Sequence, residues 1–112
     1  MRIIGLEEHF VTPELAKYGA NTATIAQPEA WADASRRLPD LYDIRLALMD
    51  EVGLDVQVLS LNSPGIQAET DAAVAVREAE KVNDFLAGVI EKHPTRFAGF
   101  GALPLQDPKA AA

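Results

Sequence analysis

A carboxylate and an imidazole two residues apart are the side chains in this sequence best suited to chemistry. They are Glu7 and His9, which close the short run Ile3-Ile4-Gly5-Leu6-Glu7-Glu8-His9-Phe10. In a β-strand, alternate side chains share a face, so a regular strand places Glu7 and His9 on one side and Glu8 on the other. Zinc and similar first-row metals accept carboxylate oxygen and imidazole nitrogen together, at roughly 2 Å. The spacing therefore predicts a metal half-site, and a solvated loop entrance is the alternative that two residues leave open.

The remaining histidine does not complete such a site. An open catalytic zinc centre takes about three ligands from the protein, so Glu7 and His9 need partners. His93 stands before Pro94 at the predicted end of a helix, where an imidazole is expected to interact with the helix dipole rather than with a metal. Glu8, on the other face of the strand, is expected to form a surface or helix-facing ion pair.

Composition excludes several classes of function. The 112 residues are 48% apolar, carry a net charge of −7 and include no cysteine. One soluble globular domain is expected, and nucleic-acid binding is not, because it needs clustered Lys and Arg. The absence of cysteine removes disulfides and thiolate chemistry and fits a reducing compartment. With no signal segment and no run of membrane-spanning length, the predicted location is the cytoplasm, away from any membrane.

Strands and helices are predicted to alternate along the chain. The predicted elements are a strand at 3–10, an excursion at about 12–39, a helix at 40–52, a strand at 56–61, a helix from 70 or 71 to Pro94, a strand at 96–103 and a helix start at 107–108. Within the excursion, a short helix through 15–18 and a helical turn near Trp31 are expected. Trp31 is interpreted either as a lid or wall over a site or as an anchor for the excursion.

Local signals set the ends of these helices. Asp40 is predicted to cap the first long helix, whose Leu41, Ile44, Leu48 and Val52 would face inward, and Gly53 is predicted to end it. Thr70 or Asp71 is predicted to cap the second long helix. The turn Asn62-Ser63-Pro64-Gly65 follows the second predicted strand.

The alternation predicts a parallel sheet with right-handed crossovers. Chemistry in such folds lies at the carboxyl ends of the strands, where Glu7, His9, Asn62 and Ser63 all stand. Asn62 and Ser63 are therefore candidate substrate-binding residues, with turn formation as the alternative. Three strands cannot close a barrel, which takes about eight strands and 250 residues, so the chain is expected to be the opening of something larger.

Three segments resemble a known family. Residues 5–10, 59–65 and 96–108 are similar to the amidohydrolase-related (amidohydrolase 2) decarboxylases, most of all to γ-resorcylate (2,6-dihydroxybenzoate) decarboxylases, alongside those of 5-carboxyvanillate and aminocarboxymuconate semialdehyde. The resemblance implies an α/β fold, the N-terminal part of a (β/α)8 TIM barrel, with 1–112 as one section of a single barrel domain. It also implies a divalent metal, zinc or manganese, for which Glu7 and His9 match the ligands from the first strand.

The implied reaction is the nonoxidative decarboxylation of an aromatic, hydroxybenzoate-like acid or an enol acid. The metal would gather the substrate carboxylate and a neighbouring hydroxyl, and an aspartate near the last strand would handle the proton. That aspartate and a later histidine have no counterpart in these 112 residues, so no catalytic residue is assigned and the chain alone is expected to be inactive. The resemblance implies a homo-oligomer for the full-length protein. A metal-dependent lactone or amide hydrolase and a non-catalytic truncated fragment are the alternatives.

Overall fold

The computed structural model describes residues 1–19 and 26–112. Its three strands are β1 (Ile4–Phe10), β2 (Val56–Leu61) and β3 (Phe97–Gly99), which form one sheet in the order β1-β2-β3. Both pairings are parallel, as the alternation of elements predicted. The carboxyl ends of the strands therefore meet at one edge of the sheet.

Four α-helices accompany the sheet in the described part of the chain. They are α1 (Pro28–Arg37), α2 (Asp43–Val52), α3 (Ala72–Lys92) and α4 (Pro108–Ala111), and short 3-10 helices span Ala16–Gly19 and Gly65–Ala68. No helix among these residues is long and apolar enough to cross a membrane.

The predicted ends of the helices are confirmed at Gly53 and Asp71, whereas α2 begins at Asp43, three residues after its predicted cap Asp40. Asp40 Oδ1 accepts hydrogen bonds from the backbone N–H groups of Ile44 (2.8 Å) and Arg45 (3.1 Å), so it caps α2 from outside the helix. Gly53 ends α2 with φ at 72°, a left-handed conformation that glycine adopts without a steric penalty. Asp71 caps α3 by accepting from the N–H of Val74 at 3.0 Å.

The excursion contains more structure than predicted. Instead of a helical turn near Trp31, α1 runs for 10 residues, and Pro28 occupies its first turn, where the missing N–H costs nothing. The short helix expected at 15–18 is a 3-10 helix, Ala16–Gly19. The rest of the excursion, 20–25, lies outside the described residues.

The strand predicted at 96–103 is also too long. β3 ends at Gly99, and one further ladder bond joins the Phe100 N–H to Leu59 O at 2.9 Å. Beyond this point Asn83 of α3 binds the backbone of Ala102 on both sides, accepting from its N–H at 2.7 Å and donating to its carbonyl at 3.0 Å. These two bonds replace the strand ladder.

The hydrophobic core lies on one face of the sheet. Phe10, Leu59 and Phe97 contribute from the strands and Met49 from α2, together with Ala79, Val82, Leu86 and Val89 from α3. The inward stripe predicted for α2 is wrong at Val52, which is 70% exposed, whereas Met49 is 1% exposed. The reason is that Leu41 is buried from the loop before α2 begins, so it does not set the phase of the helix.

The register places other side chains on the opposite face of the sheet. His9 pairs with Ser60 and Ala98 pairs with Val58, in positions that alternate with the core residues. His9 and Ala98 are exposed. This face of the sheet, where His9 projects, is therefore left open by the helices of the described chain.

Candidate metal half-site at the end of the first strand

A β-bulge shapes the part of β1 that carries the candidate ligands. Gly5 pairs with Gln57 and Glu8 with Leu59, so β1 uses one more residue than β2 over this stretch. Within the bulge, Glu7 adopts φ of 59°, the left-handed region that non-glycine residues seldom occupy. The predicted regular alternation is therefore wrong between Gly5 and Glu8, because it assumed a strand with no extra residue.

His9 projects beside the neighbouring strand with one ring nitrogen already engaged. Its Nδ1 lies 3.1 Å from Ser60 Oγ. In the tautomer that carries the proton on Nδ1, the ring donates to Ser60 and leaves the Nε2 lone pair free. Metal-binding histidines are commonly oriented by such a bond from their other nitrogen. The exposed imidazole of His9 thus suits a metal ligand.

Glu8 lies on the helix-covered face, in register with the fully buried Leu59. Its Oε2 accepts from Gln57 Nε2 at 3.1 Å, and Gln57 Oε1 accepts from Arg45 Nη1 at 3.0 Å. Glu8 therefore faces the helices, but the ion pair predicted for it is wrong, because the neutral amide of Gln57 stands between the carboxylate and the Arg45 guanidinium. Gly5 makes room for this arrangement, since a Cβ there would lie 2.8 Å from Glu8 Oε1.

Arg45, from α2, joins this polar group to the end of β1. Its Nη2 donates to the backbone carbonyl of His9 at 2.7 Å and its Nε to that of Asp40 at 3.0 Å. Burial lowers the pKa of the Arg45 guanidinium, and the negative charges of Glu8 and Asp40 act in the opposite direction. Because an arginine pKa starts so high, the side chain stays charged.

Two cavities border these residues. A cleft of about 330 Å³ is lined by Glu7, Glu8, His9, Ala34, Arg37, Leu38, Ile44, Arg45, Leu48 and Gln57. It lies between β1, α1 and α2, and the Glu8–Gln57–Arg45 chain of hydrogen bonds forms part of its wall.

The second cavity, of about 250 Å³, contains the predicted substrate-binding residues. Asn62 and Ser63 line it together with Trp31, and mostly apolar residues, including Val11 and Pro13, complete its wall. The Asn62 N–H donates to Phe10 O at 2.8 Å, which joins the carboxyl ends of β2 and β1. Trp31 thus shares a cavity with Asn62 and Ser63, an arrangement that fits both interpretations of Trp31, as a wall over a site and as an anchor for the excursion.

His93 has the structural position that the sequence predicted. It is the C-cap of α3, and its ring lies 5.4 Å from that of Tyr42 and 6.0 Å from that of Phe97. Because it precedes β3, it lies at the amino end of the sheet, away from Glu7 and His9. Among residues 1–19 and 26–112, no three His, Cys, Asp or Glu side chains are grouped to hold a metal.

A Tyr18–Glu69 hydrogen bond at the carboxyl edge of the sheet was not predicted. The Tyr18 hydroxyl donates to Glu69 Oε2 at 2.6 Å and joins the two 3-10 helices. The bond to Glu69 raises the pKa of Tyr18 to about 12 and lowers the pKa of the Glu69 carboxyl. No sequence signal connects residues so far apart in the chain, so only the fold reveals the pair.

Solved structures establish the class of fold. The crystal structure of dihydroxybenzoic acid decarboxylase from Polaromonas, with bound manganese and 2-nitroresorcinol, is 45% identical with a TM-score of 0.87, over 99% of this chain and 33% of that one. The 5-carboxyvanillate decarboxylase of Novosphingobium aromaticivorans, also with manganese, is 33% identical with a TM-score of 0.86, over 96% of this chain and 35% of that one. The predicted fold class is confirmed, since the neighbours are amidohydrolase-fold TIM-barrel decarboxylases.

Among curated proteins, γ-resorcylate decarboxylases are similar to almost the whole of this chain. The γ-resorcylate decarboxylase of Polaromonas is 46% identical over 109 residues, which are 97% of this chain and 32% of that protein. The resemblance to amidohydrolase-related decarboxylases, and to γ-resorcylate decarboxylases among them, is confirmed. The chain spans about a third of the length of the curated relatives it matches. No protein-family model matches it.

Proposed function

We propose that this chain forms part of a metal-dependent nonoxidative decarboxylase that acts on an aromatic, hydroxybenzoate-like carboxylic acid. The observation that carries the proposal is the position of His9 at the carboxyl end of β1, with Nδ1 against Ser60 Oγ at 3.1 Å and Glu7 two residues before it. Structures of similar decarboxylases hold manganese, which supports a divalent metal here.

The donor types of Glu7 and His9 fit such a metal. Carboxylate oxygen suits manganese, imidazole nitrogen suits zinc, and both metals accept the two donors together. When bound, the metal supplies charge neutralisation and orientation for a substrate carboxylate and its neighbouring hydroxyl. Glu7 and His9 would hold it, and Ser60 would fix the tautomer and direction of the His9 ring.

Two protein ligands are fewer than the roughly three of an open catalytic site. We therefore expect the 112-residue chain by itself to bind metal weakly and to turn over no substrate. For the same reason, we propose that residues 1–112 form one section of a single barrel domain and that the remaining metal ligands come from elsewhere in that barrel.

Asn62 and Ser63 are proposed to contact the substrate. They follow β2 at the same edge of the sheet as His9, and they line the largely apolar cavity beside Trp31. An apolar wall with a few polar groups suits an aromatic ring that carries hydroxyl and carboxylate groups.

Further properties of the whole protein follow from composition and resemblance. A net charge of −7 disfavours nucleic acid as a partner, and the absence of cysteine fits the cytoplasm. A homo-oligomer is proposed on the resemblance alone, and zinc is retained beside manganese as a candidate metal.

A chimera tests the proposal. Residues 1–112 replace the matching segment of the Polaromonas γ-resorcylate decarboxylase, and carbon dioxide release from 2,6-dihydroxybenzoate is followed. The chimera is expected to be active, and His9→Ala or Glu7→Gln is expected to abolish both turnover and tightly bound metal, whereas His93→Ala keeps both. A folded chimera that is inactive, or one that tolerates His9→Ala, would contradict the proposal. Hydrolysis of a lactone in place of decarboxylation would favour the hydrolase alternative.

A further inference from the structure

The guanidinium of Arg45 uses all three of its nitrogens at the half-site end of β1. Nη2 donates to His9 O (2.7 Å), Nη1 to Gln57 Oε1 (3.0 Å) and Nε to Asp40 O (3.0 Å). Gln57 in turn donates to Glu8 Oε2 at 3.1 Å. One side chain thus fixes the backbone of His9 directly and the side chain of Glu8 through one intermediate.

The bulge explains why β1 needs such support. Its pairing with β2 is interrupted between Gly5 and Glu8, and Glu7 is held there at φ of 59°. A left-handed conformation at a non-glycine residue is unfavourable and persists only where neighbouring contacts fix it. The contacts of Arg45 and Gln57 fall on Glu8 and His9, the two residues that follow the strained one.

We infer that Arg45 is a positioning residue for the metal half-site, holding the bulged end of β1 so that Glu7 and His9 keep a metal-binding geometry. The inference rests on the proposed function, because a metal gives this geometry its use. Arg45 need not touch metal or substrate, since its contacts are the carbonyls of His9 and Asp40 and the Gln57 amide.

Charge repulsion alone predicts that loss of Arg45 strengthens metal binding, whereas a positioning role predicts that it weakens metal binding. A guanidinium near a divalent cation repels it, so removing the charge without changing the geometry should strengthen metal binding. Removing a positioning residue should weaken it, and loss of an outer-shell partner typically costs about 10–100-fold in metal affinity. The sign of the change therefore distinguishes the two effects.

Arg96 provides a matched control. It also donates to two backbone carbonyls, Asp55 O at 3.0 Å and Leu54 O at 3.2 Å, and it pairs with Asp50 Oδ1 at 2.7 Å. These contacts lie at the amino end of β2, away from Glu7 and His9. Arg96→Met should cost stability much as Arg45→Met does, without touching the half-site.

The test is a Mn²⁺ titration of the ¹⁵N-labelled 112-residue chain, read as paramagnetic broadening of each amide signal. Broadening is expected first around Glu7 and His9. In Arg45→Met the same broadening should require about tenfold more Mn²⁺, while Arg96→Met behaves as the unmodified chain. Arg45→Lys keeps the charge and the aliphatic stem but cannot donate to all three acceptors, so it should also bind Mn²⁺ more weakly than the unmodified chain. It replaces Arg45→Met if that variant does not fold.

The outcomes separate the inference from the function it rests on. No selective broadening near Glu7 and His9 in the unmodified chain would count against the metal half-site itself. Selective broadening there, with Arg45→Met and Arg45→Lys binding Mn²⁺ as tightly as Arg96→Met or more tightly, would overturn the positioning inference alone.

Discussion

The left-handed backbone at Glu7 predicts an unusual response to glycine. Most non-glycine residues strongly disfavour φ near 59°, the value found at Glu7, whereas glycine adopts it freely. Glu7→Gly is therefore expected to stabilise the fold while it removes a proposed metal ligand. Glu8→Gly, one position along the same strand, provides the matched comparison.

The expected size of the effect follows from two opposing terms. Relief of the left-handed conformation is worth about 1–2 kcal/mol, and the greater backbone entropy of glycine in the unfolded chain costs about 0.5–1 kcal/mol. Glu7→Gly should therefore raise the free energy of unfolding by about 0–1.5 kcal/mol. Glu8→Gly has the same unfavourable effect on backbone entropy and also loses the 3.1 Å hydrogen bond from Gln57. It should therefore lower the free energy of unfolding by about 2 kcal/mol.

Urea unfolding of the two variants and the unmodified chain measures the difference, with equal m-values confirming that the transitions are comparable. The separation of about 2–3.5 kcal/mol between the variants corresponds to at least about 8 °C in melting temperature for a chain of this size. If Glu7→Gly destabilises as much as Glu8→Gly does, Glu7 is not strained and the bulge is misplaced.

Three further predictions concern the frame around the half-site. The Tyr18–Glu69 hydrogen bond should stabilise the fold fully below the ordinary Tyr pKa of 10.0 and be lost as pH rises toward about 12; at acid pH it should be lost as pH falls below the ordinary Glu pKa of 4.5. The free energies of unfolding of Tyr18→Phe and the unmodified chain should therefore converge at both extremes of pH. A gap between them that stays constant with pH would refute the bond. Leu59→Ala, at a side chain with 0% exposure, should lower the free energy of unfolding by about 2–5 kcal/mol, and a loss below about 1 kcal/mol would contradict its place in the core. Gly53→Ala should cost about 1 kcal/mol, because φ there is 72° and no neighbouring atom lies within 4 Å to add a clash; an unchanged urea midpoint would argue against the left-handed cap.

Local sequence signals predicted the frame of the fold well. Asp40, Gly53 and Asp71 each act on backbone groups within a few residues, so their capping interactions could be predicted without the fold. Helix α1 was underpredicted although Trp31, Ala34 and Leu38 recur at helical spacing, because this short pattern lies in a stretch that was interpreted as an irregular excursion and none of the residues of α1 is fully buried. Its start at Pro28 was the signal that could have revealed it.

The candidate site was predictable in its residue types but not in its geometry. Glu7 and His9 stand out by chemistry and spacing, yet the bulge depends on how β1 pairs with β2 more than fifty positions later in the chain, at Gln57 and Leu59. Arg45 was missed for the same reason, since its acceptors come from β1, β2 and the loop before α2. Local pattern cannot reveal partners that only the tertiary fold brings together.

The proposed function depends on Glu7 and His9 being two ligands of one divalent metal. Anomalous diffraction at the manganese edge, from crystals of the chimera grown with Mn²⁺, locates that metal. We expect a single strong peak within bonding distance, about 2 Å, of a Glu7 carboxylate oxygen and of His9 Nε2, with Nδ1 still against Ser60 Oγ. A manganese peak bound by other residues, with Glu7 or His9 turned away from it, would contradict the claim.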